Sequence, residues 1–375
     1  MKISNMLKRN QQMQSSNAVK DKFRQSDTVA VNDGPKIKVR KNGLVLAILS
    51  VLLIVIFLWS FTVGRYAVPL PQLLTVFFSK LSGQSAAWSD ALETVLFNIR
   101  IPRIIVALII GAVLAASGAA FQGIFRNPMV SPDILGASAG AGFGASLAIL
   151  YSLDSLTIQL VAFVFGIIAV LMTYLVSGLI SRRNNSVLVL VLTGMVVTSL
   201  FSAFISLIKF TADPNNKLPE ITFWLMGGLS SIKPKNIPLI LVPSIIGIIP
   251  MLLFRYKLNA LSFGEEEAQS LGIDTKKIRF IYIICATLLT SSAVATGGMI
   301  GWVGLIIPHL ARILVGPNYK FMLPASILLG GSYLLLIDDL SRTIFTLEIP
   351  LSILTAIIGA PFFIYLLYRS RSAWT

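Results

Sequence analysis

After residue 43 the chain is a succession of apolar runs separated by short polar breaks. A helix needs about 20 mainly apolar residues to cross a bilayer. Runs of this kind lie at 44–63, 104–124, 158–180, 187–208, 237–254, 280–296, 322–340 and 351–368, with a shorter one at 134–151. Segment 301–315 is apolar too, but Pro308 interrupts it. Such a break is tolerated at membrane depth where protein takes up the freed backbone groups. Charge decides whether it crosses. Lys276, Lys277 and Arg279 precede the run at 280–296, and Arg312 and Lys320 flank the end of 301–315. If both clusters face the cytoplasm, an even number of crossings separates them. Residues 278–316 would measure about 58 Å as helix, enough for two crossings with Gly297-Gly298 near the turn. The count becomes ten, with both termini inside.

Composition agrees. Of 375 residues, 55% are hydrophobic and 13% charged, against about 25% charged in a soluble domain. Cys285 is the one cysteine and His309 the one histidine. They offer no disulfide framework, no metal-ligand set and no catalytic triad. His309 follows a proline and reads as part of a kink. The net charge is +15, of which residues 1–42 supply ten Lys/Arg against three Asp. This polar segment is expected to be a disordered cytoplasmic tail, followed by a membrane domain over 43–370 and a short cytoplasmic end at 371–375. A basic stretch directly before an apolar helix acts as a topology anchor on the anionic inner leaflet; nucleic acid is not called for. The ten-span topology puts 22 Lys/Arg inside and 9 outside. Without the tail the bias is 12 against 9, so the outside arginines are candidates for function.

Small residues recur every fourth position, as in Gly136, Gly140 and Gly144 or Gly111, Ala115 and Ala119. Such stripes let helix backbones approach closely, and packing is their expected role. The run Glu265-Glu266-Glu267 opens a short helix over 264–271, from Gly264 to a stop at Gly272; acidic residues suit a first turn and glycine a C-terminal end. By itself this is a solvated loop helix. No GxxxxGK[ST] phosphate loop occurs, so ATP hydrolysis by this chain is not expected.

Three stretches together carry a family resemblance: RIPRIIVALIIGAVLAASGAAFQGIFRNPMVSPDILGASAGAGFG (100–144), FGEEEAQSLGID (263–274) and the long segment 298–367 that begins GMIGWVGLIIPHLARILVGPNYK. They resemble the FecCD family of iron-siderophore, haem and vitamin B12 permeases, over residues 44–370 in order. The resemblance implies an all-α integral membrane protein of about ten transmembrane helices with the type II ABC importer permease fold. It implies four kinds of partner: two ATP-binding cassette ATPases, an extracytoplasmic binding protein, a second permease subunit (the same or different), and the lipid bilayer. It implies no cofactor, and a bacterial cytoplasmic membrane location.

The resemblance also assigns roles. Arg100, Arg103 and Arg342 lie at expected outer helix ends, where snorkelling anchors are an alternative account; in the family, arginines at these positions meet acidic groups of the binding protein. Segment 264–272, with Gly264, Glu265, Ala268, Leu271 and Gly272, matches the helix that couples to the ATPase, with Ala268 and Leu271 as packing contacts. Asn127, Pro128 and Met129, in a stiff two-proline turn, match a cytoplasmic gate, and Asn185 and Ser186 a second one. Asp338, Asp339 and Glu348 could suggest a proton relay, but Arg342 stands one turn after Asp338 as its partner. A proton- or sodium-driven transporter needs ionisable groups at mid-membrane, and the candidates sit near helix ends. An intramembrane enzyme needs paired catalytic groups, which the lone histidine does not supply. Within the ABC class an iron–siderophore chelate is the expected cargo, with haem, cobalamin or another metal chelate as the alternative.

Overall fold

The computed structural model describes residues 35–64, 68–81, 89–180 and 186–370. Most of the tail expected over 1–42, the end 371–375 and the gate candidate Asn185 lie outside the described residues. Residues Met1–Val45 and Leu46–Thr375 form separate units. Among the described residues we number fourteen helices. They are α1 (Pro35–Ser60), α2 (Leu70–Leu81), α3 (Asp90–Ile124), α4 (Ala137–Leu150), α5 (Ser155–Ile180), α6 (Ser186–Thr211) and α7 (Lys217–Met226). Then follow α8 (Ile237–Leu253), α9 (Arg255–Phe263), α10 (Glu265–Ser270), α11 (Thr275–Gly297), α12 (Val303–Val315), α13 (Tyr319–Ser341) and α14 (Leu351–Ser370).

Seven of these are long and apolar enough to cross a membrane, and α4, α12 and α14 add three shorter apolar helices. The ten correspond one to one with the runs read from the sequence. Four further helices, α2, α7, α9 and α10, lie between them. Helix α1 begins at Pro35, earlier than the apolar run suggests.

α3 is the centre of the packing. Its most apolar window is 83% buried, against 17% for that of α1. It packs against α8, α11, α12 and α13. The glycine stripes explain how. A Cβ on Gly111 would stand 2.1 Å from the Gly330 carbonyl oxygen, and one on Gly118 would stand 1.8 Å from that of Gly304. On α4, a Cβ at Gly140 would meet the Phe165 carbonyl of α5 at 2.5 Å. Backbone touches backbone at these points, so only glycine fits.

α12 has 13 residues, about 20 Å of helix, too little to cross alone. Residues 298–302 complete the passage as non-helical chain, with Gly298 and Trp302 at positive φ and Ile300 buried. Irregular backbone at this depth requires protein around it. A Cβ on Gly298 would lie 2.4 Å from the Trp224 carbonyl of α7. α7 therefore packs against this passage, and Gly228 N–H donates to the Gly297 carbonyl at 3.0 Å.

Candidate functional site

The chemistry-bearing side chains gather at the two ends of the spans. At one end α3 runs for 35 residues, more than a bilayer needs, so its first turns project beyond the spanning part. Its segment Thr94–Arg100 is π-helical. Pro102 follows, with no N–H to give to the ladder, and a widened turn is a common response to such a gap. The result directs Arg100 and Arg103 towards the ends of α1 and α13.

All three arginines named from the sequence are buried there, at 4% exposure for Arg100, 5% for Arg103 and 6% for Arg342. Arg103 Nε donates to both Asp338 carboxylate oxygens at 3.0 Å, and its Nη1 donates to Glu348 Oε1 at 2.9 Å. Arg342 Nη2 donates to the Ser60 carbonyl and hydroxyl at 2.8 Å and pairs with Asp339. Its Nε lies 3.9 Å from Asp338 Oδ2, the one-turn pair expected from spacing. Ser60 Oγ donates to Asp339 Oδ1 at 2.6 Å, and Arg100 Nη1 donates to the Phe61 carbonyl at 2.6 Å. Three guanidiniums face three carboxylates. The cluster is neutral overall, which is how charge survives burial at a membrane edge. It joins the ends of α1, α3 and α13. Sequence spacing could find the Arg342–Asp338 pair. It could not find Ser60, the Phe61 carbonyl or the Arg103–Asp338 pair, whose members are 235 positions apart.

On the same side a cavity of about 400 Å³ opens between the end of α4, the start of α5, α7 and Thr296–Gly298. Phe223, Trp224, Gln159, Glu220 and Ser230 line it. Gln159 is held by the Asn236 amide at 3.0 Å, so its position is fixed.

At the other end, α10 is a six-residue helix that packs on α9 and α11. Gly264 has φ +149 and Gly272 φ +75, conformations that suit glycine at the helix's start and stop. Glu265 pairs with Arg279 of α11. Leu271 is 68% exposed, whereas Ala268 is fully buried within the chain. Of the two residues read as packing contacts for an ATPase, only Leu271 is presented outward; Ala268 is the small residue that lets α10 lie flat. Phe263, 76% exposed at the end of α9, was not singled out from sequence.

Asn127, Pro128 and Met129 form the turn after α3, where Asn127 Oδ1 accepts the Met129 N–H at 2.9 Å. Asn127 and Met129 are exposed. Nearby, Ser131 and Ser138 donate to the Asp133 carboxylate. Burial pushes that carboxyl above the usual range, and the two hydroxyls act against the shift. Ser186 opens α6. His309 lies mid-way along α12, one residue after Pro308.

This arrangement has counterparts. Residues 52–369 match the FecCD transport family. The chain belongs to that family. Like its other members, it is an ABC importer permease, a multi-pass membrane subunit and not one of a catalytic enzyme family. It is 40% identical over 325 residues to the molybdate import system permease protein MolB of Haemophilus influenzae, covering 86% of this chain and 95% of that one. It is 37% identical over 336 residues to the Fe(3+)-citrate import system permease protein YfmE of Bacillus subtilis, covering 88% and 96%. A solved structure presented as an inward-facing conformation of a metal-chelate type ABC transporter superposes with TM-score 0.78 at 38% identity, over 87% of this chain and 99% of that one. The type II importer permease fold expected from the sequence is therefore the fold of this FecCD permease.

Proposed function

We propose that this chain is one of two permease subunits of an ATP-driven importer carrying an iron chelate of the siderophore type into the cytoplasm of a bacterium. The cavity beside α7 is the observation that carries the reading. A chelated metal presents an organic surface, and aromatic, amide and hydroxyl side chains suit it. The similarity to a ferric-citrate permease supports the same class. Cargo enters at this mouth and leaves past the Asn127–Met129 turn and the segment around Asn185 and Ser186. Alternating access is driven by two ATPase subunits acting on α10 through Leu271, with Arg279 and Glu265 linking α10 to α11. Both termini lie in the cytoplasm, the basic tail on the anionic leaflet.

A binding protein docks at the outer face over the arginine cluster. Its carboxylates reach Arg103 and Arg342 by exchange with the carboxylates that hold them here, and Arg100 by exchange with the Phe61 carbonyl. Glu348, one third exposed, is the member positioned to leave. A second reading has an oxyanion such as molybdate as cargo, favoured by the 40% identity to the Haemophilus protein.

The test is uptake by proteoliposomes holding this chain with its co-purified ATPases and binding protein. Radiolabelled ferric siderophores and molybdate are offered, with and without ATP. ATP-dependent accumulation of a ferric chelate supports the first reading and of molybdate the second. Uptake that needs no ATPase and collapses with the proton gradient refutes both.

A further inference from the structure

The inner mouth holds a second polar cavity, of about 180 Å³, on the flank of the Asn127–Met129 turn. It lies between the end of α3, the turn after it, α9 and the α12–α13 connection. Gln122, Arg126, Asn127, Ser262, Arg312 and Tyr319 line it. Two of these are guanidinium groups, and neither has a carboxylate within salt-bridge distance among the described residues. This contrasts with the outer cluster, where Arg103 and Arg342 are paired with carboxylates. Arg312 Nε is buried with no hydrogen-bond partner, and a buried donor left unmade is costly. Arg126 is held at φ +50, a left-handed conformation that a long side chain rarely adopts. Space, unmatched positive charge and an idle donor together describe an anion site.

Gln122 narrows the anion. Its Nε2 donates to the Leu305 carbonyl at 3.1 Å, which fixes the amide's orientation. Its Oε1 therefore points the other way, and it is buried without a partner in a residue only 2% exposed. A carbonyl oxygen repels an anion that has lone pairs alone. It accepts from one that still carries a proton. Inorganic phosphate retains a proton at neutral pH; sulfate and the phosphodiester of a lipid headgroup carry none on their oxygens.

We propose that this cavity binds a proton-bearing tetrahedral oxyanion from solution, inorganic phosphate. The Arg126 and Arg312 guanidiniums hold its charge, and Gln122 Oε1 accepts its remaining proton. The bound anion braces the turn after α3 against the α12–α13 connection. That the solution is the cytoplasm rests on the orientation proposed above; the chemistry of the site does not.

The experiment is calorimetric titration of the purified full-length chain in neutral detergent at pH 7, with inorganic phosphate and then sulfate. Saturable binding of phosphate at one site is expected, with sulfate about tenfold weaker. R312Q and R126Q each weaken phosphate binding about tenfold, the scale of one charge-assisted hydrogen bond. Arg126 is exposed, so R126Q reports on the site even if R312Q fails to fold. Q122L removes the preference for phosphate over sulfate. K233Q, in a loop at the other end, changes nothing. Equal binding of the two anions by the unmodified chain, no saturable heat, or binding untouched by R126Q overturns the proposal. So does competition by phosphatidylglycerol in mixed micelles that phosphatidylcholine does not match, which assigns the site to a lipid headgroup. No cargo, ATP or partner enters the measurement, so a failed transport assay leaves its outcome readable.

Discussion

Asp338 has no exposed surface and accepts three hydrogen bonds from Arg103. Asp338→Asn leaves Arg103 buried with only Glu348 to balance it. Breaking one partner of a buried pair costs about 3–5 kcal/mol. We expect D338N to lower the thermal unfolding midpoint in detergent clearly, with loss of protein on purification. Glu348 behaves differently because it is partly solvated. If a binding protein competes for Arg103, Glu348→Ala removes a competitor. The complex should then bind more tightly, by severalfold in a pull-down or surface titration, while the unfolding midpoint moves little. Unchanged affinity in E348A would leave the arginines as an internal clamp alone. These contacts show where sequence reading stops. Arg342 and Asp338 are one turn apart, so helix geometry pairs them. Arg103 and Asp338 are brought together only by the packing of α3 on α13, which no local pattern encodes.

At the scale of elements, α10 separates two effects that a single substitution would confuse. Leu271→Glu alters an exposed position. It should leave the chain folded and monodisperse but abolish co-purification of the ATPase or its stimulation by cargo. Ala268→Glu places a charge where the chain packs on itself. It should reduce folded yield directly, seen in size-exclusion profiles before any ATPase is added. The helix itself was legible, because acidic residues and bracketing glycines mark its ends. Its inward face was not, since six residues hold too few turns to show a period. For the same reason α2 and α9 went unread: each is short, and neither has the run of 20 apolar residues that announces a span. The glycine stripes were legible as packing surfaces, and the partner of each stripe was not. Gly118→Ala should be strongly destabilising, since its Cβ would meet the Gly304 backbone at 1.8 Å and backbone cannot yield as a side-chain tip can.

For the whole molecule, the proposed orientation has a direct readout. Cys285 is buried, so a single new cysteine reports its own side. L271C should react with a membrane-impermeant maleimide only after cells are opened, and Y151C, at the far end of α4, should react in intact cells. Labelling of both from the same side would overturn the topology. The ten crossings could be counted because lipid allows few alternatives: every stretch of backbone within it must be helical or enclosed. The passage 298–302 shows the second option; the sequence placed the interruption at Pro308, which lies inside α12, and the irregular chain falls instead beside Gly297-Gly298.

The bare backbone contacts along α3 carry one more consequence. Where Gly111 meets Gly330 and Gly118 meets Gly304, no layer of side chains lies between helices to act as a lubricant. Sliding α3 along α12 or α13 by even a fraction of a turn would drive a bulky residue into a slot shaped for hydrogen. The three helices form one chassis, and α4 with α5 forms another through Gly140. Whatever motion carries cargo through must fall along the seams between these blocks, where long, pliable side chains can change rotamer and follow.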